Sequence, residues 1–440
     1  MNRLKNINLP AFIFIYFLPL ALQIQINLFR SPEHTGLRLN LADLLLPIMG
    51  IIIMWSLWHK KTIWPQWRIP HVGLWMTGLS VILMMGVLNT YYIWDVWSTW
   101  AIVNKLTGFG VLACLFYVGG WIGANMTAPH IQKFLHLFFI FFLIVATSQS
   151  VMVWLGHIDV TRLYDVVPYP IAGLMANRNA FAFLMVASFI LSLSLWMSSR
   201  TRIMTWVLGG FYFLLPFLWT YNGSRAGIII FGVILILSLF LYGRHMIRPV
   251  LIMIFGFLAL TVFYAGQTFK LNVLQDNRAS FLTEKPPSLS LGGIEQHAET
   301  LNMQGDSNRL KIMISALERI QQKPLIGHGL GSALLIQEEK YGASIDIIDN
   351  TSLWLLTELG VIGLGAFLIF YLLIFKTIFT GKNNTCLDHK VALLILIAFA
   401  GMSLFHEIMY TRFLWVMMGM AIVLPVTGRL AQSNALADSR

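Results

Sequence analysis

The sequence predicts an all-α integral membrane protein of about twelve transmembrane helices, with one large loop on the outer face that carries a surface amphipathic helix. Three observations carry this. Of 440 residues, 57% are hydrophobic and 11% charged, against about 25% charged in a soluble domain. Apolar runs of roughly 17–25 residues recur along the chain, each long enough to cross about 30 Å of hydrocarbon. A single polar interval, 267–348, interrupts them.

In order, the apolar runs place spans near 10–28, 41–58, 72–88, 101–122, 131–155, 171–197, 203–219, 225–242, 249–267, 350–375, 391–406 and 411–427. The first follows Arg3 and Lys5 and lacks a small-residue cleavage site, so it reads as a retained signal anchor. Alternate loops hold Lys60, Lys61 and Arg68; Lys133; Arg200 and Arg202; Arg244 and Arg248; and Lys376, Lys382 and Lys390. The tail adds Arg429 and Arg440, whereas the intervening loops offer Arg30 and Arg38, then no base in 89–100, then Arg162. This bias puts both termini in the cytoplasm and the polar interval outside. Three regions follow: 1–266 with helices one to nine, 267–348 as the loop, and 349–440 with helices ten to twelve and the tail. The net charge of +11 is thus a topology signal, not a nucleic-acid footprint. Cys114 in an apolar run and Cys386 in a basic loop do not form a disulfide pair.

The interval runs to about 80 residues, far beyond an ordinary connection. From Ser280 to Gly305, with Pro286-Pro287 and Gly292-Gly293, no helical period appears. Asn308-Arg309 then opens a pattern with Leu310, Met313, Ile314, Leu317 and Ile320 on one helical face. It ends before Pro324, and Gly327-His328-Gly329-Leu330-Gly331 follows as a tight turn that returns the chain to the bilayer.

With this topology every even-numbered span begins outside, and those beginnings are polar. They hold Lys105; Asn177, Arg178 and Asn179; Ser224 and Arg225; Asp349, Asn350, Thr351 and Ser352; and Thr411 and Arg412. Ionisable groups near a bilayer tend to face a protein interior or a wet cavity. Helix N-termini favour anions, and guanidinium forks match phosphate oxygens. The inference is a cationic pocket on the outer face. Plainer readings stand beside it. Arg178, Arg412 and Lys105 can snorkel to headgroups. Asn177, Asn179 and Ser224 are good helix caps. Arg309 can be a solvated charge, His328 a turn residue, and His406-Glu407 an interfacial ion pair.

Four stretches resemble the O-antigen ligase / O-antigen polymerase superfamily of bacterial envelope proteins, over about Leu163 to Leu373. They are Gly173 to Asn179, Thr220 to Gly227, Asn308-Arg309 running to Pro324 and Gly329, and Asp349-Asn350 with Leu353 and Glu358-Leu359-Gly360. In the ligase family a histidine commonly precedes the asparagine that opens the span after the loop. Asp349 stands there, which leaves the general base open between Asp349, Asp346 and a histidine from elsewhere. The resemblance implies an inner-membrane enzyme with a periplasmic loop, working without metal or cofactor. Its donor would be a glycan on undecaprenyl pyrophosphate, and its acceptor lipid A–core or a second lipid-linked glycan. Arg225 and Arg309, with Arg178, would meet the pyrophosphate charge, and Asp349 would take the acceptor proton. Asn177, Asn179, Ser224, Asn350, His328, Lys105 and Arg412 would line the substrate site. The rival from another class is a secondary transporter, which would place its site near the midplane on internal repeats; no repeat relates the halves, and the charges gather at one face.

Overall fold

The computed structural model describes residues 13–28, 37–59, 62–154, 171–175, 177–198, 201–262, 312–335, 348, 350–381 and 387–424. Its helices are α1 (Leu41–Trp58), α2 (Val72–Trp94), α3 (Ala101–Asn125, π-helical over Ala101–Thr107), α4 (Ala128–Trp154), α5 (Arg178–Ser198) and α6 (Arg202–Asn222). There follow α7 (Arg225–Tyr242), α8 (247–262), α9 (312–322), α10 (Thr351–Thr380), α11 (His389–Ser403) and α12 (Arg412–Ala421). Among the described residues eight runs are long and apolar enough to cross a membrane: α1 to α6, Arg225–Val262 taken as one run, and α10. Helices α11 and α12 are apolar but shorter. Gly243, with φ 54°, ends α7. α8 then lies along α6, with Ile252 near Gly209 and Gly256 against the Phe213 backbone.

Three expected spans are shorter than the apolar runs implied, each for a local reason. Among its described residues the first is helical over Ile13–Ala21, in a π turn and a short α turn. Gln25–Leu28 and Leu37–Asn40 instead form an antiparallel pair, β1 and β2, with Gln25 opposite Asn40. Their residues alternate polar and apolar, a strand period that counting apolar residues overlooks. The sixth starts at Arg178, because Gly173 turns the chain at φ 63° and Gln149 holds its N–H and C=O at 2.9 and 2.8 Å. The twelfth ends at Ala421, beyond which Val423 bridges Trp67.

Helices α5 and α12 are buried along almost their whole length and form the centre of the bundle. α12 meets α3 backbone to backbone: a Cβ on Gly119 would stand 2.1 Å from the Val416 carbonyl oxygen. Small residues allow such approach where helices pack without water between them.

Helix α9 begins within the surface helix expected from the sequence, with Met313, Ile314 and Leu317 exposed and Ala316 and Arg319 buried. Residues 263–311, which include Arg309 and the Ser280–Gly305 stretch, lie outside the described residues. After α9 the chain passes through a break in α10 at Gly360 (φ 67°, ψ −169°). The freed amides of Val361 and Ile362 donate to Pro324 and Leu325 at 2.8 and 3.2 Å. The freed carbonyls of Thr357 and Glu358 accept from His328 and Gly329 at 3.0 and 2.9 Å. These four groups thus regain partners, as irregular backbone inside a membrane protein requires.

Candidate functional site

Among the described residues, six helices begin at one end of the bundle: α1, α3, α5, α7, α10 and α12. Their starts are tied together by side chains. Asn40 opens α1 with a capping box in which Asp43 accepts the Asn40 amide at 2.9 Å. Asn177 opens α5, its Oδ1 accepting the Asn179 amide at 2.8 Å. Ser224 opens α7, its Oγ accepting the Gly227 amide at 3.2 Å. Asn350 opens α10, with Oδ1 accepting from Leu353 at 2.8 Å. The expected capping role therefore holds for Asn177 and Ser224, and Asn350 caps as well, whereas Asn179 is the second residue of α5 and not its cap.

Ser224 also does more than cap. Its hydroxyl donates to Asn179 Oδ1 at 2.9 Å, and Asn179 Nδ2 stands 3.1 Å from His406 Nδ1. Thr351, at the start of α10, donates to the His406 carbonyl at 2.9 Å. His406, from the loop between α11 and α12, thus joins the heads of α5, α7 and α10.

Beneath these heads lies a cavity of about 260 Å³. Its wall includes Asp43, Trp100, Asn104, Lys105, Asn177, Asn179, His406, Glu407, Tyr410 and Arg412. Lys105 is buried and pairs with Glu407, and its ammonium lies 4.2 Å from the Trp354 ring centroid, 5.0 Å from Tyr410 and 5.5 Å from Trp100. That is a cation held in an aromatic cage, not a group reaching for headgroups. Arg412 is buried too, with Nη2 2.7 Å and Nε 3.2 Å from the two Asp43 oxygens and Nη1 donating to Tyr410. His406 and Glu407 engage Asn179 and Lys105, so the expected reading of them as an interfacial pair is replaced by two separate roles inside the wall.

The remaining sequence candidates fall elsewhere. Arg178 is half-buried at the first position of α5, and Asn222 Nδ2 donates to its carbonyl at 3.1 Å. Arg225 is exposed at the first position of α7 and is not part of the cavity wall. An arginine at that position opposes the helix dipole, and α5, α7 and α12 all begin with one. His328 sits away from the cavity, in the turn after α9, with Nε2 3.0 Å from the Arg319 carbonyl. Burial pushes its imidazole below the usual value, helped by Lys323 and Arg319 and opposed by that carbonyl. Asp349, Arg309 and Asp346 lie outside the described residues.

Sequence reasoning passed over Asp43, Asn104 and the full role of Glu358. Asp43 was legible as an acid three residues after a capping asparagine, at the head of an apolar run. Glu358 is wholly buried and fastens the glycine turn, accepting from Gly331 at 2.8 Å and from Trp354 Nε1 at 2.7 Å. Among the described residues no three His, Cys, Asp or Glu side chains group closely enough to hold a metal ion.

Residues 210–368 match the family model described as O-antigen ligase. No curated protein matches the chain.

Proposed function

We propose that this chain, which residues 210–368 place in the O-antigen ligase superfamily, transfers a glycan from undecaprenyl pyrophosphate to a sugar hydroxyl on lipid A–core. The work is done at the periplasmic face of the bacterial inner membrane, in a twelve-span chain with both termini in the cytoplasm. The observation that carries the reading is the junction of the matched segment with the cavity: Ser224, within the match, donates to Asn179 in the cavity wall.

In this reading the acceptor hydroxyl gives its proton to Asp349 as its oxygen attacks the anomeric carbon. The bond from that carbon to the phosphate oxygen breaks, and the lipid pyrophosphate leaves with the electron pair. Arg225 and Arg309, with Arg178, meet the developing charge, helped by the N-termini of α5 and α7. No cofactor or metal enters the step.

A deletion strain tests it through the banding of its lipopolysaccharide. Loss of all polymer on core, with lipid-linked polymer accumulating, is the expected result. Core carrying one repeat would make the protein a repeat-unit polymerase, the reading that Asp349 in the histidine position favours, and an unchanged pattern would overturn both. Arg225→Ala and Arg309→Ala should abolish transfer with insertion intact, and Asp349→Asn should do so while keeping side-chain size.

A further inference from the structure

A second cavity opens on the flank of the bundle, beside the break in α10. It measures about 220 Å³ and lies between the two halves of α10, the last turn of α11 and the first turns of α12. Leu368 and Leu404 line it and are 49% and 57% exposed, so its mouth is on the side of the bundle that meets lipid. No charged side chain among the described residues lines it. Thr351 and Ser403 stand at the end where α10 begins, where Thr351 donates to the His406 carbonyl. Phe399, one turn back along α11, meets Tyr371 with ring centroids 5.8 Å apart, and Phe367 and Met418 continue the apolar lining. Ser403 is the exception in this wall. It is 7% exposed, and its hydroxyl is buried without a hydrogen-bond partner among the described residues. Ser80, Ser150 and Ser198 return their hydroxyls to the carbonyl four residues back in their helices; Ser403 does not. The hydroxyls of Thr351 and Tyr371, in the same wall, are spent on the His406 and Leu396 carbonyls.

We propose that this cleft is a seat for one acyl chain of a bilayer glycerophospholipid, with the ester carbonyl of that chain accepting the Ser403 hydroxyl. The seat goes beyond the glycan-transfer reading and does not depend on it. A hydrocarbon chain suits the aromatic and aliphatic lining. The unmet hydroxyl calls for an acceptor, because a buried donor without one is costly. An ester carbonyl supplies it without charge, at the point where the polar end of a lipid gives way to its tail. A polyprenyl phosphate matches less well. Its tail carries no oxygen, and its first oxygen belongs to a phosphate, which is costly to desolvate where no cation lines the wall. The seat also adjoins the cavity at the helix heads. Met409 lines the cleft and gives its carbonyl to the Trp415 indole at 2.7 Å, while Ile408 and Tyr410 on either side of it line the first cavity. A lipid here backs the loop whose other side walls the candidate site.

The test is native mass spectrometry of the full chain, delipidated in detergent and titrated with one lipid at a time. The probes are dioleoyl phosphatidylethanolamine, dioleoyl phosphatidylglycerol, the diether analogue of the first, undecaprenyl phosphate and lipid A. The first molecule of either diester should be retained alike, because no charge in the cleft reads the headgroup. The diether keeps the chains and lacks the carbonyls, and it should bind about ten-fold more weakly, the worth of one hydrogen bond. Ser403→Ala should cost the diester the same factor and leave the diether unchanged. It should not lower the melting temperature of the lipid-free chain, where the hydroxyl has no bond to lose. Ala400→Phe should fill the cleft and abolish retention of both diesters. Equal binding of diester and diether, a Ser403→Ala chain that holds the diester as tightly as the parent, or retention of no lipid would each overturn the assignment. Displacement of the diester by undecaprenyl phosphate would overturn it in favour of a polyprenyl tail, and displacement by lipid A in favour of a glycolipid.

Discussion

Gly329 donates its amide to the Glu358 carbonyl at 2.9 Å, the acceptor that Ile362 would use in an unbroken helix. Ile362 turns instead to Leu325, and Val361 to Pro324, so two segments exchange four hydrogen bonds across the break. The loop that follows α9 is thus built into α10 itself. At the start of the same helix Thr351 holds the His406 carbonyl.

Gly360→Ala should break this exchange. The residue sits at φ 67° and ψ −169°, a region essentially reserved for glycine, at a cost of about 1–3 kcal/mol for other residues. A Cβ there would also stand 2.2 Å from the Leu325 carbonyl oxygen, so the inserted segment must shift. The expected outcome is a fall in melting temperature in detergent, with new proteolytic cleavage near Lys323. A variant as stable as the parent would mean that the two segments are not interlocked.

Glu358 offers a graded version of the same experiment. Its carboxylate accepts from the Gly331 amide and the Trp354 indole, both buried. Glu358→Ala strands both, together with the Ala333 amide at 3.4 Å, and an unsatisfied buried donor costs about 1–3 kcal/mol. Glu358→Gln keeps one acceptor oxygen and should lose less. Thermal unfolding of the pair should rank them Gln above Ala; the reverse order would show that these hydrogen bonds do not offset the cost of burying a polar side chain.

His328 gives the turn a pH dependence. Burial holds its folded-state value below the ordinary one, so the unfolded chain binds a proton that the folded chain refuses. The stabilisation is complete above the unfolded value, about 6.5, and is lost as pH falls below it. The melting temperature should therefore drop from pH 8 to pH 5, and the drop should shrink in His328→Gln, whose amide can still donate to the Arg319 carbonyl. An equal drop in both would assign the acid sensitivity to other groups.

Much of this was legible in the sequence because bilayers impose a simple period. Apolar runs located the helices, and the alternation of basic loops implied that Lys105, Asn179, Ser224, Thr351 and Arg412 begin helices at one end, where the structure brings them together. What escaped was decided by partners remote in sequence. Lys105 and Arg412 look like free cations until Glu407 and Asp43 are seen beside them. Gln25–Leu28 looks like the end of a span until its alternation is paired with Leu37–Asn40. The break at Gly360 is invisible in composition, because its hydrogen bonds are replaced by residues from another element.

The pair between Arg412 and Asp43 separates structural from functional charge. Both side chains are buried, at 9% and 5% exposure, and together they clamp the head of α12 to the head of α1. Removing one partner leaves an uncompensated buried charge, worth about 3–5 kcal/mol, while replacing both by apolar groups of similar size is often neutral. Arg412→Met and Asp43→Leu should each be strongly destabilising, and the double variant should regain most of the loss. The measurement is a double-mutant cycle on thermal unfolding, with lipopolysaccharide banding read in parallel. If the double variant regains stability and also restores polymer on core, Arg412 serves as a clamp and the work of binding the anion falls to Arg178, Arg225 and Arg309. If stability returns but transfer does not, Arg412 contacts substrate as well.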